Sequence, residues 1–187
     1  MAAAFNLTSM DFRGVISKRF AKNFLPLPAL PKFRLGQTLP DFELPAVGQR
    51  APVKLSHYRH KAVVVLVFTR IFTEKQYCPF CYPHILSMGE AYGQFEQRGA
   101  EVLMITSTTM PQSKLIQQDL GLGMPLLVDP HCASFRQYGT GQALGAPLPA
   151  QFVIDRSGKL TFQHLFSFAH RNASSERLLW AVHNASR

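Results

Sequence analysis

The apolar residues of this 187-residue chain form two kinds of pattern, short unbroken runs and helical spacings. The run AVVVLVF at 62–68 has the length of a strand, and because it is apolar throughout, it predicts a central parallel strand buried on both faces. Beyond it, apolar residues recur four, three, four and three positions apart, as on one helix face, at Cys81, Ile85, Met88, Tyr92 and Phe95. Gly99 ends this helix, and AEVLMIT at 100–106 predicts the strand that completes a βαβ unit.

The segments on either side extend this pattern to an α/β domain. Positions 41–59 predict two short strands around a turn at Gly48. After the βαβ unit, the pattern predicts helices at 111–120, 133–139 and 174–185 and strands at 125–129, 151–155 and 159–166. This order predicts one mixed sheet with helices on both faces.

The composition narrows the class of protein. Apolar residues make up 47% of the chain, which favours a compact soluble domain over a disordered chain. No apolar run approaches the roughly 18 residues of a membrane span. Three cysteines are too few for a disulfide scaffold, and the first residues lack the features of a secretory signal. We therefore expect a reducing, cytoplasmic location.

The net charge of +9 is concentrated at the start of the chain, because residues 1–36 carry six basic residues against Asp11 alone. Positions 8–24 predict a basic amphipathic helix, with apolar residues at helical spacing, and a proline-rich linker follows. We therefore divide the chain into residues 1–35, the helix and its linker, and residues 36–187, the α/β domain.

The basic helix has three interpretations. It could pack on its own domain and leave its basic face in solvent. Residues 8–24 could instead contact an anionic membrane or an acidic partner protein. A cleaved transit segment is the third interpretation, favoured by the scarcity of acidic residues. A nucleic-acid partner is not expected.

The short stretch YCPFC places Cys78 and Cys81 where the central strand region gives way to the helix. A helix N-terminus carries unsatisfied N–H groups and a partial positive charge, which stabilise a thiolate. A second cysteine one turn later can attack the first when it has become a mixed disulfide or a sulfenic acid. Pro79 suits the first turn of a helix, where its missing N–H costs nothing. The spacing therefore predicts a redox-active pair.

Other uses of the two cysteines are less consistent with the pattern. Two buried structural cysteines would not explain the spacing at a strand-to-helix junction. Cys78, Cys81 and His84 have zinc-ligand spacing, and His131 with Cys132 could complete a site, but structural zinc usually takes two well-separated ligand pairs. A c-type haem would need a histidine directly after the second cysteine, where a tyrosine stands. We expect no metal and no cofactor.

Several segments in order resemble one family: LGQTLPDFELPAVGQRAPVKLSHYRHKAVVVLVFTR, YCPFCYPHI, EVLMITS, MPLLVDP and LPAQFVIDRSGKL. Together they are similar to the alkyl hydroperoxide reductase/thiol-specific antioxidant branch of the thioredoxin superfamily, the peroxiredoxins and their relatives. The resemblance covers about residues 36–166. It implies a thioredoxin fold, a central mixed sheet flanked by helices, with the extra N-terminal hairpin of peroxiredoxins. It also implies an active site at the start of the helix that carries the cysteine pair.

Two departures from the family limit what the resemblance implies. Peroxiredoxins show Pro-x-x-x-Thr-x-x-Cys, and neither Cys78 nor Cys81 fits that register, so that Thr73 is only a loose substitute within an apparent insertion at 72–76. Where peroxiredoxins have an arginine before the strand F-[IV]-I-D, this chain has Pro149. Thioredoxins carry a cis proline there, facing the CxxC pair, and by this resemblance we predict a cis Pro149.

Further residues are candidates for supporting roles. We expect Arg70 to be exposed in a surface ion pair, with supply of the missing cation as the alternative. His84 could lower the pKa of Cys81 or donate a proton, or it could be a partly exposed helix residue. By resemblance to thioredoxins, Tyr77 would shield the site. Cys132 is expected to be a small core residue, with a resolving or regulatory thiol as the alternative.

The sequence therefore predicts a thiol-dependent redox protein that draws electrons from a thioredoxin- or glutathione-type donor. Hydroperoxide reduction ranks ahead of protein-disulfide reduction, and a non-catalytic binding module that docks through the basic helix is the third alternative. The thioredoxin analogy selects Cys78 as the attacking residue, whereas peroxiredoxin spacing selects Cys81. Whether the chain forms a homodimer is left open.

Overall fold

A computed structural model describes residues 18–186 of the chain. Its strands, in chain order, are β1 (Glu43–Leu44), β2 (Val53–Lys54), β3 (Val63–Phe68), β4 (Ile71–Thr73), β5 (Gln76–Tyr77), β6 (Ala100–Thr106), β7 (Leu126–Val128), β8 (Gln142–Ala143), β9 (Ala146–Pro147), β10 (Ala150–Ile154) and β11 (Leu160–Leu165). Its α-helices are α1 (Lys18–Lys22), α2 (Tyr82–Gln97), α3 (Met110–Asp119), α4 (Ala133–Gln137) and α5 (Ser175–Ala185).

A five-stranded mixed sheet with the order β11-β10-β3-β6-β7 forms the centre of the domain. Strands β3, β6 and β7 are parallel, whereas β10 runs antiparallel to both β3 and β11. All six residues of β3 are buried, as its unbroken apolar sequence predicts for a strand covered on both faces. The mixed sheet flanked by helices confirms the predicted fold class, and the antiparallel pair β1–β2 is the predicted N-terminal hairpin.

The alternation of side chains along β3 divides the core into two parts. Val63, Val65 and Val67 belong to the cluster that includes the inner face of α2 and residues of α5. The intervening residues of β3 point to the other face, where they join the N-terminal hairpin and the aromatic residues Phe135 and Tyr138. We call these the α2 face and the hairpin face. The cysteine pair lies on the α2 face, since both Cys78 and Cys81 belong to its cluster.

The N-terminal segment from residue 18 packs along the domain. Helix α1 ends at Lys22, and the side-chain amide of Asn23 donates to the Arg19 carbonyl at 2.8 Å. The chain then runs beside the β8–β9 hairpin, where Leu27 exchanges backbone hydrogen bonds with Gln142. Gly141, at φ +77°, admits this close approach, because a Cβ there would lie 2.6 Å from the Ala29 nitrogen.

The predicted helix at 8–24 is only partly within the described part of the chain. Residues 1–17 lie outside the described residues, and the described helix α1 is short. Within residues 18–186, no helix is long and apolar enough to cross a membrane.

Two short hairpins that the apolar pattern did not predict close over one end of the sheet. Residues 72–76, which the sequence presented as an insertion, belong to the antiparallel hairpin β4–β5. The second hairpin is β8–β9. The β4–β5 hairpin matters for the site because it leads directly into the cysteine pair. The β8–β9 hairpin matters because the carbonyl of Ala143 in β8 binds the side chain of Arg70.

Candidate active site

The cysteine pair lies in a turn that continues into α2. The backbone N–H of Cys81 donates to the Cys78 carbonyl at 2.9 Å, and the N–H of Tyr82 donates to the same carbonyl at 3.0 Å. Cys81 is therefore the N-cap of α2. Pro79 lies within this turn rather than in the helix, and the proline in the first turn of α2 is Pro83. The positive end of the helix dipole thus faces the two sulfur atoms.

Both cysteines are buried, Cys78 at 6% exposure and Cys81 at 1%, and both are free thiols. The pKa of Cys78 is lowered to about 6, chiefly because the thiol of Cys81 donates a hydrogen bond to the sulfur of Cys78. The backbone N–H of Phe80 and the charge of Arg70 contribute to this lowering, and burial opposes it. The same sulfur–sulfur bond raises the pKa of Cys81, with burial adding to the rise. Cys78 is thus the thiolate, and Cys81 keeps its proton.

Arg70 is buried beside the pair, so the expected exposed ion pair is wrong. One guanidinium nitrogen, Nη2, donates to the Ala143 carbonyl at 2.6 Å, and the guanidinium carbon lies 4.8 Å from the centroid of the Phe72 ring. The β4–β5 and β8–β9 hairpins therefore enclose a side chain that the strand end alone would have left in solvent. Burial lowers the pKa of Arg70, and the two cysteines raise it. The structure thus brings a cation to the cysteine pair, the alternative that the sequence left open.

Three buried hydrogen-bond donors in the segments around the pair have no partner among residues 18–186. They are the hydroxyls of Thr69 and Tyr77 and the Nε–H of Arg70, and of these residues Arg70 lies beside both cysteines. The backbone N–H of Arg70 also faces the pair, since it donates to Cys81. Buried polar groups in proteins are nearly always hydrogen-bonded. Unpartnered donors beside a thiolate are therefore candidate contacts for an oxygen-bearing substrate.

Tyr77 and Thr73 belong to the β4–β5 hairpin and differ in their relation to the pair. Tyr77 is half-buried, its ring centroid lies 5.2 Å from that of Tyr82, and burial raises the pKa of its phenol to about 12. The hydroxyl of Thr73 accepts from the backbone N–H of Lys75 at 3.2 Å. Thr73 thus holds the hairpin turn, whereas Tyr77 packs against the α2 face.

His84 is buried, so of the two alternatives for this residue the partly exposed helix position is wrong. Its Nε2–H donates to the carbonyl of Ala173 at 2.9 Å. Burial lowers the pKa of His84 to about 4, so the imidazole is uncharged at neutral pH. It therefore supplies no positive charge to the cysteines, and Arg70 has that position instead.

Pro149 directly precedes β10, the strand before which thioredoxins carry their cis proline. Its peptide bond is trans, and no peptide bond within residues 18–186 is cis, so the predicted cis bond is wrong. Ala150 pairs with Phe68 in the antiparallel register of β10 and β3, which puts Pro149 beside Thr69. A trans bond is the intrinsic preference of X–Pro, by about 0.5–1 kcal/mol, and the likeness to thioredoxin at this position does not extend to the isomer.

Cys132 lies on the hairpin face, on the opposite side of the sheet from the cysteine pair. Its sulfur accepts a long hydrogen bond of 3.8 Å from the side-chain amide of Asn23. Burial and, to a smaller extent, the charge of Asp129 together raise the pKa of Cys132 to about 11. The position agrees with a small core residue and separates Cys132 from the pair that it would have to resolve. Within the described part of the chain, no three histidine, cysteine or acidic side chains form a group that could hold a metal ion.

Arg19 is the residue near the site that sequence reasoning missed. Its guanidinium donates to the carbonyl and hydroxyl oxygens of Ser107, at 2.6 and 2.8 Å, and to the backbone carbonyl of Phe72 in β4. It thus ties α1 to the hairpin that leads into the cysteines. The sequence carries no signal for this contact, because Arg19 is one of several basic residues on a helix with an exposed face.

Comparison with known proteins agrees with the fold and identifies the family. The sequence profile of the AhpC/TSA family matches residues 35–163. Peroxiredoxin tpx1 of Schizosaccharomyces pombe is 32% identical over 138 residues, 68% of this chain and 69% of that protein. Thiol-disulfide oxidoreductase ResA of Bacillus thuringiensis is 24% identical over 134 residues, 71% of this chain and 70% of that protein.

The fold is also that of a solved structure. The reduced 2-Cys peroxiredoxin of Plasmodium vivax superposes with a TM-score of 0.69 at 20% identity, over 81% of each chain. Because the family profile spans most of the domain and the sheet, hairpin and cysteine-bearing helix lie where the resemblance implies, the chain belongs to the AhpC/TSA family of the thioredoxin superfamily.

Proposed function

We propose that this protein is a thiol peroxidase that reduces hydroperoxides with Cys78 as the attacking residue and Cys81 as the resolving residue. The observation that carries the proposal is the Cys78 sulfur, which receives the Cys81 S–H and lies beside the buried cation of Arg70. Thiolates attack peroxides and thiols do not, so a pKa of about 6 gives Cys78 the reactive form at neutral pH. Family membership and the likeness to peroxiredoxin tpx1 support the same reaction.

The reaction has two steps. In the first, the Cys78 thiolate attacks one peroxide oxygen, the S–O bond forms, the O–O bond breaks, and the departing oxygen takes a proton and leaves as water or an alcohol. In the second, the Cys81 sulfur attacks Cys78, the disulfide forms, and the hydroxyl leaves as water with the Cys81 proton. The two electrons return to the disulfide from a thioredoxin- or glutathione-type dithiol or thiol pair.

Thr69 and Arg70 supply the polarising contacts in this proposal. The unpartnered hydroxyl of Thr69 and the Nε–H of Arg70 would donate to the peroxide oxygens. They would replace the threonine and the arginine of the family motif, which this chain lacks. The Arg70 guanidinium is held for this by its bond to Ala143, which leaves Nε unpartnered among the described residues.

Protein-disulfide reduction is the second candidate, favoured by the intact CxxC turn and by the likeness to ResA, which is named a thiol-disulfide oxidoreductase. Phe80, between the two cysteines, is 51% exposed and stacks with Arg171, whose guanidinium carbon lies 3.6 Å from the ring centroid. An exposed aromatic residue at this place offers an apolar contact to a protein substrate.

Rapid mixing of the reduced protein with hydrogen peroxide, and separately with an oxidised protein substrate, distinguishes the two. Thiols are trapped at intervals, and the disulfide is located by mass spectrometry. We expect peroxide to oxidise the pair at least about 100-fold faster than free cysteine at the same pH, the magnitude typical of one preorganised oxyanion contact.

Thr69→Val is the matched variant, because it removes the hydroxyl and keeps the shape. It should slow the peroxide reaction and leave exchange with the protein disulfide unchanged. Slow peroxide oxidation together with rapid protein-disulfide exchange would select the second candidate.

A further inference from the structure

A cavity of about 710 Å³ lies between α1, the loop before α3 and the start of α4. This volume is within the range of small-molecule sites, roughly 300–1,000 Å³. Neither Cys78 nor Cys81 lines it, so the reaction proposed above makes no use of it.

The lining of this cavity is strongly basic. Lys18, Arg19 and Lys22 line it from α1, Arg136 lines it from α4, and His131 adds a further titratable group. Among the described residues that line the cavity, none is aspartate or glutamate. The fold thus brings the three basic residues of α1 together with Arg136, more than 100 positions later, around one concave surface.

Arg19 is the innermost of these charges, and its partners are all uncharged. The guanidinium donates to the carbonyl and hydroxyl of Ser107 and to the carbonyls of Ile71 and Phe72. No carboxylate within residues 18–186 is among its hydrogen-bond or ion-pair partners. Burial lowers the pKa of Arg19, with the charge of Cys132 as the opposing influence. Arg19 is partly buried, and a partly buried charge without a counter-ion keeps part of its desolvation cost, which an anion held in the cavity would offset.

The remaining walls fit an organic ligand. Phe72 and Pro130 provide apolar surface. Thr109 and Gln112, the capping-box residues of α3, also line the cavity, so the positive end of this ten-residue helix adds to the field of the side chains. Several cations around one cavity of this size suit a ligand with several negative charges better than a single carboxylate.

We propose that this cavity binds a small organic anion that carries phosphate groups. Binding would rest on the α1 and α4 cations, with the apolar wall contacting the organic part of the ligand. The site would therefore give the basic N-terminal segment a role in small-molecule binding that is separate from the redox reaction.

Calorimetric titration with inorganic tripolyphosphate tests the site in the full chain. The cavity variant carries Lys22→Gln and Arg136→Gln, both on exposed side chains. The matched control carries Lys61→Gln and Arg98→Gln, which remove the same charges from exposed positions outside the cavity. We expect the cavity variant to bind about tenfold more weakly than both the wild type and the control, as for the loss of a charge-assisted contact. Equal affinity of all three proteins, or no binding by the wild type, would overturn the proposal.

Hydrogen exchange locates the ligand independently of charge, because residues of α1 line the cavity. Tripolyphosphate should slow exchange of the α1 backbone amides in the wild-type protein, followed by mass spectrometry, and should not slow it in the cavity variant at the same concentration. Unchanged exchange at saturating tripolyphosphate would contradict the assignment. Binding to phosphatidylserine vesicles without binding to tripolyphosphate would also reject it, since the basic surface would then serve a membrane instead of a small ligand.

Discussion

Cys78 and Cys132 are both buried next to an arginine, yet their thiols have opposite properties. The pKa of Cys78 is lowered to about 6, whereas that of Cys132 is raised to about 11. Cys78 receives an S–H and backbone N–H groups, while Cys132 receives one long amide bond and lies near the carboxylate of Asp129. A nearby cation and burial are common to both, so the hydrogen-bond donors at Cys78 and the carboxylate near Cys132 account for the difference between the two pKa values.

The largest expected effect comes from removing one of these two sulfurs. Cys78→Ser should abolish rapid reaction with peroxide, a loss of about 1,000-fold or more, because the nucleophile is gone. Cys132→Ser should leave the rate within about twofold, since its thiol is protonated at neutral pH and lies on the other face of the sheet. Stopped-flow kinetics on both variants measures this difference. Equal loss in the two variants would contradict the assignment of Cys78.

The second effect tests the sulfur–sulfur hydrogen bond. Cys81→Ala removes the donor, so the pKa of Cys78 should rise toward that of an ordinary thiol, about 8.5. Cys81→Ser keeps a hydroxyl donor and should raise it less. Ultraviolet absorbance of the thiolate, titrated against pH, reports both values. If the alanine variant titrates like the wild type, the Cys81 proton is not what stabilises the thiolate.

A smaller effect is expected from the cation. Arg70→Gln removes the charge and the Nε–H donor, so the pKa of Cys78 should rise modestly and the peroxide rate should fall about 10- to 100-fold. Arg70→Lys keeps the positive charge but loses the planar guanidinium with its Nε–H. The pKa of Cys78 in this variant should therefore lie close to the wild-type value, while the peroxide rate should stay below that of the wild type. If the lysine variant shows the same rise in the Cys78 pKa and the same fall in rate as the glutamine variant, Arg70 acts through packing alone. Thermal unfolding of both variants controls for the lost bond to Ala143.

The central architecture was predictable because it depends on local patterns. The run at 62–68 has no polar position, and burial on both faces is the only placement that hides all of it, so its central location followed directly. The helix after the cysteine pair followed from the spacing of residues such as Ile85 and Met88, both fully buried on its inner face. The family resemblance supplied the hairpin and the topology.

The surroundings of the site were not predictable, because they depend on contacts between distant segments. Arg70 looked exposed from its place at a strand end, and only the carbonyl of Ala143, 73 positions later, shows why it is buried. His84 likewise meets Ala173, 89 positions away. The isomer of Pro149 depends on the loop around it, which analogy with thioredoxins did not determine.

The most direct test of the account is the pH dependence of the reaction between reduced protein and hydrogen peroxide. A thiol whose pKa is lower in the folded than in the unfolded protein gains its charge as the pH rises through the folded value. The rate should therefore rise through a pKa of about 6 and level off above pH 7, with oxidation at Cys78 throughout. The stability of the folded protein should rise over the window between this pKa and that of an ordinary thiol, and Cys78→Ser should remove that rise. A rate that titrates near the ordinary value, about 8.5, or first oxidation at Cys81, would contradict the account.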